Sequence, residues 1–224
     1  MENKIKIKVF RHDPEAEKQS RMQEYEVPIH TKSTVLEALL YIQENIDSSL
    51  AFSYSCRFMN CGLCAVEVNG NACLACITEV INGMTISPLK ALPLIRDLVV
   101  DRTPPNKLLA TFKPFVVRES SPETEPEVII QPQAHTQLMN CRECMACLSY
   151  CPDYDNTKTT FGGPYAFVKL AQLFYDKRDS MDRVKQALAL GVESCAACSG
   201  CICSMGIPIH ELAVESFLKE AKGR

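Results

Sequence analysis

The sequence predicts an α+β protein of two halves, a mostly β N-terminal half and an all-helical C-terminal half. Three observations carry this. In the strand read over 4–10, lysine and apolar residues alternate strictly from Lys4 to Val9, the period of a half-buried strand. The 13 cysteines fall into two blocks, five within 56–76 and eight within 141–203. Between the blocks, six of the 13 prolines lie from Pro104 to Pro132, and 119–127 is acidic and polar, a composition that buries little and stays extended. The expected domains are therefore 1–103, a linker over 104–134, and 135–224.

In the first half, Ile5, Ile7 and Val9 form the inner face of the first strand. A turn near Pro14 leads to a second strand in which Tyr25, Val27 and Ile29 alternate. Thr34 with Glu37 three residues on reads as a capping box. Val35, Leu39, Ile42 and Ile46 supply the apolar stripe of the helix that follows. Residues 65–68 precede Asn69-Gly70, a hairpin turn signal. Asn82-Gly83 then introduces a short strand through Met84 and Ile86. Hairpin, helix, loop, hairpin is the order of a β-grasp domain. In the second half, helices are expected over 164–176, opened by Pro164, over 180–190, capped by Ser180 and stopped by Gly191, and over 208–222, opened by Pro208. The cysteines occupy the turns before or between them.

Composition narrows the function. A net charge of −3 gives no basic footprint for nucleic acid. The charged N-terminus lacks the apolar run of a signal peptide, and no apolar stretch of about 18 residues exists to span a membrane. The expectation is a cytoplasmic chain whose thiols stay reduced. An odd number of cysteines cannot all pair within the chain, so metal binding or redox chemistry is their expected use.

Cys56, Cys61 and Cys64 have the spacing C-x4-C-x2-C, that of plant-type ferredoxins holding a two-iron cluster. Cys76 and Cys73 are candidates for the fourth ligand. A zinc site competes, because Cys61-x2-Cys64 and Cys73-x2-Cys76 form two knuckles; it leaves Cys56 without a role. Cys141, Cys144, Cys147, Cys151 and Pro152 form C-x2-C-x2-C-x3-C-P, the bacterial ferredoxin run whose fourth cysteine serves the other cluster. Cys195, Cys198 and Cys201 begin a partner run, in which Met205 and Gly206 stand where the last cysteine and the proline are expected. Cys203 lies two residues earlier. His12, His30, His135 and His210 have no ligand spacing with the cysteines, which argues against a Rieske centre, and they read as surface or capping residues. No dinucleotide fingerprint or P-loop is present. Pairs such as Glu193/Ser194 and His210/Glu211 read as helix surface.

The chain resembles the iron–sulfur subunits of succinate dehydrogenase and fumarate reductase. The resemblance rests on Ser55-Cys56-Arg57, Cys61-Gly62-x-Cys64, Leu74-Ala75-Cys76, the run from Arg96 to Asp101, the first ferredoxin run and Phe161-Gly162-Gly163-Pro164. It implies a plant-type ferredoxin-like β-grasp domain facing a FAD-containing subunit. A bacterial-ferredoxin-like all-α domain would face a membrane anchor with a quinone site, placing the chain peripherally on the cytoplasmic side of the membrane. It implies a [2Fe-2S] cluster on Cys56, Cys61, Cys64 and Cys76, with Cys73 a buried thiol. It also implies a [4Fe-4S] cluster on Cys141, Cys144 and Cys147, and a third cluster on Cys151, Cys195 and Cys201, which is [3Fe-4S] in common members.

Three departures sharpen the reading. Cys198 supplies a fourth thiol to the third set, which makes a second [4Fe-4S] cluster possible. Met205 occupies the slot of the middle cluster's last ligand, and Cys203 is the nearest replacement. With Cys73 set aside, 12 cysteines match three clusters of four ligands each. Finally, there is no tryptophan, and Ala196 follows Cys195, so a standard quinone pocket is in doubt. The extra cysteine resembles family variants whose partner is a cysteine-rich heterodisulfide-reductase-like subunit. The alternatives are a subunit of another flavoprotein oxidoreductase acting on a different organic acid, and a zinc-stabilised binding module.

Overall fold

A computed structural model describes residues 3–15, 19–118, 129–198 and 200–223. In chain order the elements are β1 (Asn3–Arg11), β2 (Arg21–Ile29), α1 (Val35–Asn45), β3 (Ala65–Val68), β4 (Asn71–Leu74), β5 (Thr85–Ser87), β6 (Leu94–Arg96) and β7 (Val99–Val100). They are followed by α2 (Thr103–Ala110), α3 (Gln133–Leu138), α4 (Ala146–Tyr150), α5 (Gly163–Phe174), α6 (Arg183–Ala189) and α7 (Ser216–Lys222). A 3-10 turn spans Val192–Ala197, and a π-helical turn spans His210–Glu215 and runs into α7. Two units result, one of Met1–Arg102 with Arg142–Tyr150, the other of Thr103–Cys141 with Cys151–Arg224.

The first unit carries a mixed sheet in the order β2-β1-β5-β3-β4, in which β1 is antiparallel to β2 but parallel to β5. That is the β-grasp arrangement expected from the element order. The register Ile5↔Val27 and Ile7↔Tyr25 puts the apolar faces of β1 and β2 on one side, where Ile7, Val9 and Val27 are fully buried. Lys4–Glu26 and Lys6–Glu24 ion pairs line the solvent face. α1 packs on this sheet through Val35, Leu36, Ala38, Leu39 and Ile42. Its capping box forms as expected, with the Glu37 N–H donating to Thr34 Oγ1 at 3.2 Å and the Thr34 N–H donating to Glu37 at 2.7 Å. Ile46 is not part of the stripe: it caps the helix C-terminus and is half exposed. Asn69 and Gly70 both take positive φ, 49° and 80°, as a tight β3–β4 turn requires.

A buried polar cluster ties the loop before the first cysteines to the sheet. The Arg11 guanidinium, at the end of β1, donates to Asp97 (3.0 Å), Tyr25 (2.5 Å), Ser49 (2.8 Å) and Asp47. Asp97, in the β6–β7 turn, also accepts from the backbone N–H groups of His12 (2.8 Å) and Ala51 (2.9 Å). Burial opposes ionisation of Asp47, but hydrogen bonds from Ser49, Tyr25 and Arg11 outweigh it and hold its carboxyl below the ordinary value of 3.8. Because the folded value is depressed, this contribution is complete above the unfolded pKa and is lost as pH falls through the folded one. Thermal melts should therefore drop as pH is lowered from about 5 to about 2. Asp47→Asn should flatten that acid limb; an identical limb in the variant would remove Asp47 as its source.

The second unit is helical, with α5 at its centre. Nine of the twelve α5 residues are buried, the signature of a helix packed on all sides. Tyr165 donates to Asn106 of α2 (2.9 Å) and Gln172 donates to the Leu138 carbonyl of α3 (2.8 Å). Two sequence expectations are corrected here. Asp182, not Ser180, caps α6, accepting the Lys185 N–H at 2.9 Å. Ser180 instead bonds the Val117 carbonyl through both its N–H and its hydroxyl. The extended linker also does not begin at 104: residues 103–110 form α2, with Pro105 and Leu109 buried. The stretch beyond is pinned to the unit by Arg183, which donates to the carbonyls of Phe112, Lys113 and Phe115 at 2.8–3.0 Å. Residues 119–128 of the expected linker lie outside the described residues.

Candidate functional site

In the first unit, residues 51–64 form an irregular loop between α1 and β3. Arg57, Met59 and Gly62 take positive φ of 62°, 50° and 71°, which turns successive N–H groups inward. Cys56 Sγ accepts the N–H groups of Asn60 and Cys61, and Cys76 Sγ accepts that of Met59, all at 3.2 Å. The N–H of Phe58 is the largest influence on Cys56; despite some desolvation it lowers the thiol to about 7, helped by the N–H groups of Cys61 and Asn60. Cys64 goes the other way. It is buried, lies beside Cys76 and Cys61, and is pushed up to about 12. The four thiols named from the sequence are thus brought to one loop system, and backbone donors face the sulfurs.

Cys73 stands apart from them. It sits on β4 opposite Val66, is half-buried, and is raised first by burial and then by neighbouring Cys144. Cys144 and Cys147 also belong to this unit. α4 packs on β4, and the Tyr150 hydroxyl at its end donates to the Ala72 carbonyl at 3.0 Å.

In the second unit, Cys151, Cys195, Cys198 and Cys201 gather. Burial raises Cys195 to about 11, and the charges of Cys151 and Cys198 add to it. Burial likewise raises Cys201 to about 12, with Cys195, Cys151 and Cys198 all contributing. Cys151 is raised by burial and feels Cys198. Cys195 lies in the 3-10 turn, and Cys198 ends that turn with its N–H on the Cys195 carbonyl at 3.0 Å. Cys203 closes its own turn, its sulfur accepting the Met205 N–H at 3.3 Å. Cys141 belongs to this unit as well and is half-buried.

Residues 6–106 match the family model of a 2Fe-2S iron-sulfur cluster binding domain. A fumarate reductase iron–sulfur subunit of Mycobacterium tuberculosis is 32% identical over 207 residues, covering 89% of this chain and 83% of that one. The chain belongs to the succinate dehydrogenase/fumarate reductase iron–sulfur subunit family. An uncharacterized iron–sulfur protein of Methanocaldococcus jannaschii is 39% identical over 217 residues, and a fumarate reductase (CoM/CoB) subunit of Methanothermobacter marburgensis is 32% identical over 217. Each match takes in 95% of this chain but only 43% of the longer relative. The fold is that of a chain in the Mycobacterium smegmatis Sdh1 complex, with a TM-score of 0.87, 24% identity, and coverage of 100% of this chain and 98% of that one.

The residues fit iron–sulfur clusters. The donors are soft thiols, the type such clusters select, and sulfurs of the first set receive N–H groups of the kind that tune cluster potential. Among the described residues, no three His, Cys, Asp or Glu side chains meet the geometry of a single-ion site; a cluster distributes its thiolates over several irons. One neighbour escaped the sequence reading. His210, expected at the surface or as a cap, is only 23% exposed and lies 3.4 Å from the Cys195 carbonyl, with its other ring nitrogen 3.1 Å from Glu215. The π-helical turn that aims it there has no clear sequence signal.

Proposed function

We propose that this chain relays single electrons between a FAD-containing subunit and a quinone-type or thiol-type partner in a succinate dehydrogenase/fumarate reductase complex. The gathering of Cys56, Cys61, Cys64 and Cys76 under inward-facing N–H groups carries the reading. These four would hold the [2Fe-2S] cluster. Cys151, Cys195, Cys198 and Cys201 would hold a third, [4Fe-4S] cluster, supported by their mutual electrostatic contact. Cys141, Cys144, Cys147 and Cys203 would hold the middle [4Fe-4S] cluster; the motif and the ligand count support this set. When bound, the clusters supply one-electron carriers. The chain's own part is to aim backbone donors at sulfur, keep the thiols partly buried, and present partner surfaces.

Phe58, Met59 and Leu63 on the first loop are exposed, at 67%, 46% and 39%, and support docking of the flavin subunit there. Ile202, between Cys201 and Cys203, is also exposed and supports a contact with the second partner. The relative named for CoM/CoB is in keeping with a thiol-type, heterodisulfide-reductase-like partner in place of a membrane anchor. No helix of the described residues is long and apolar enough to cross a membrane, so membrane association would run through partners. Iron and acid-labile sulfide assays test the reading. The expected result is about ten irons with matching sulfide, the sum of one two-iron and two four-iron centres, in a complex that co-purifies with a FAD subunit. Zinc without sulfide would overturn it in favour of a binding module.

A further inference from the structure

Arg102 lies outside every ligand motif, yet within the first unit its guanidinium reaches two ligand loops. Nη2 donates to the carbonyls of Gly62 (3.2 Å) and Leu63 (3.1 Å), the two residues between Cys61 and Cys64. Nη1 makes a longer contact, 3.5 Å, to the carbonyl of Glu143, the residue before Cys144. A second observation shows how closely these loops meet. A Cβ on Gly62 would collide with the Arg142 carbonyl oxygen and lie 3.0 Å from the Cys144 backbone, and φ there is +71°. No side chain fits between the two loops. Glu143 and Met145 both take positive φ, 53° and 62°, so the second loop is sharply bent where Arg102 and Gly62 hold it.

We infer that Arg102 is a positioning residue that clamps the Cys61–Cys64 loop to the Cys144 loop through their carbonyls and sets the potentials of both clusters with one fixed positive charge. This rests on the cluster reading above. When bound, each cluster would supply a one-electron couple whose reduced form carries one more negative charge. A guanidinium beside both ligand loops favours that reduced state, and its loss lowers both potentials. Leu63 and Glu143 flank ligands of different clusters, so the two effects share one cause.

The test is a pair of EPR-monitored redox titrations on the purified complex, with iron and sulfide measured in parallel, for the wild type and Arg102→Met, Arg102→Gln and Arg102→Lys. In Arg102→Met and Arg102→Gln, the reduced-to-oxidised ratio of both clusters, read at each wild-type midpoint, should fall roughly three- to tenfold. Arg102→Lys keeps the charge and should shift both far less. Unmoved potentials in either neutral variant with full iron and sulfide, or movement of only one cluster, would overturn the inference. So would an Arg102→Lys protein that behaves like Arg102→Met, including one that fails to hold clusters, since a merely structural role gives that result. A wild-type protein without sulfide would instead defeat the cluster reading itself, before any substitution is made.

Discussion

Replacing Cys198 with alanine should turn the third cluster from a four-iron into a three-iron centre. The oxidised wild type should lack a strong three-iron EPR signal, and the variant should gain one while losing about one iron per chain. The physical basis is the grouping in the second unit, where Cys151, Cys195 and Cys201 each interact electrostatically with Cys198. Four thiols can anchor all four iron corners of a cubane, and three leave one iron without a protein ligand, the one most easily lost. Cys203→Ala is the contrasting variant. If Cys203 stands in for position 205, its loss should deplete the middle cluster and leave the third unchanged. A strong three-iron signal in freshly prepared wild type would count against Cys198 as a ligand. Unchanged iron content and signals in Cys203→Ala would remove Cys203 from the ligand set.

Local signals were readable in the sequence wherever one element's own residues decide its form. The alternation from Lys4 to Val9, the Thr34/Glu37 box and the Asn69-Gly70 turn each describe interactions within a few residues, and each forms as expected. The spacing of Cys56, Cys61 and Cys64 is equally local, but it leaves Cys73 and Cys76 both open as the fourth ligand, a choice that only the family resemblance narrows. What escaped depends on partners far along the chain. Arg11 and Asp97 meet across 86 residues, and no periodicity announces a buried charge pair. Ser180 has the ordinary look of an N-cap, but Val117 claims its hydroxyl and N–H, so the cap passes to Asp182. Residues 104–118 read as linker because proline and polar residues dominate, yet Pro105 lies in the first turn of a helix, where a missing N–H costs nothing. His210 and Arg102 belong to the same class: each contacts a backbone carbonyl of a cysteine-bearing loop, and carbonyls carry no sequence identity.

Arg183→Ala should be the most destabilising single change outside the cysteines. The Arg183 and Asp179 side chains are both only 1% exposed. Arg183 makes two bonds to Asp179, at 2.6 and 2.9 Å, and one to Gln186, besides its three to the 112–115 carbonyls. Removing it leaves a buried carboxylate without its counter-charge and takes the Arg183 donor from the Phe115 carbonyl, while Phe112 and Lys113 keep the Gln186 amide and the Phe115 N–H; stranding a buried charge in this way costs about 3–5 kcal/mol. That is a large share of the roughly 5–15 kcal/mol that typically holds a domain together. For a chain of this length each kcal/mol lowers Tm by about 2–4 °C, so a fall of about 6–20 °C is expected. Arg183→Lys keeps the charge but cannot reach both Asp179 and the carbonyls, and should fall between wild type and alanine. The double variant Arg183→Ala with Asp179→Ala removes the stranded charge and should recover part of the loss. If the double variant melts at or below Arg183→Ala, the unpaired carboxylate is not the source of the cost, and the docking of residues 112–115 is what Arg183 secures.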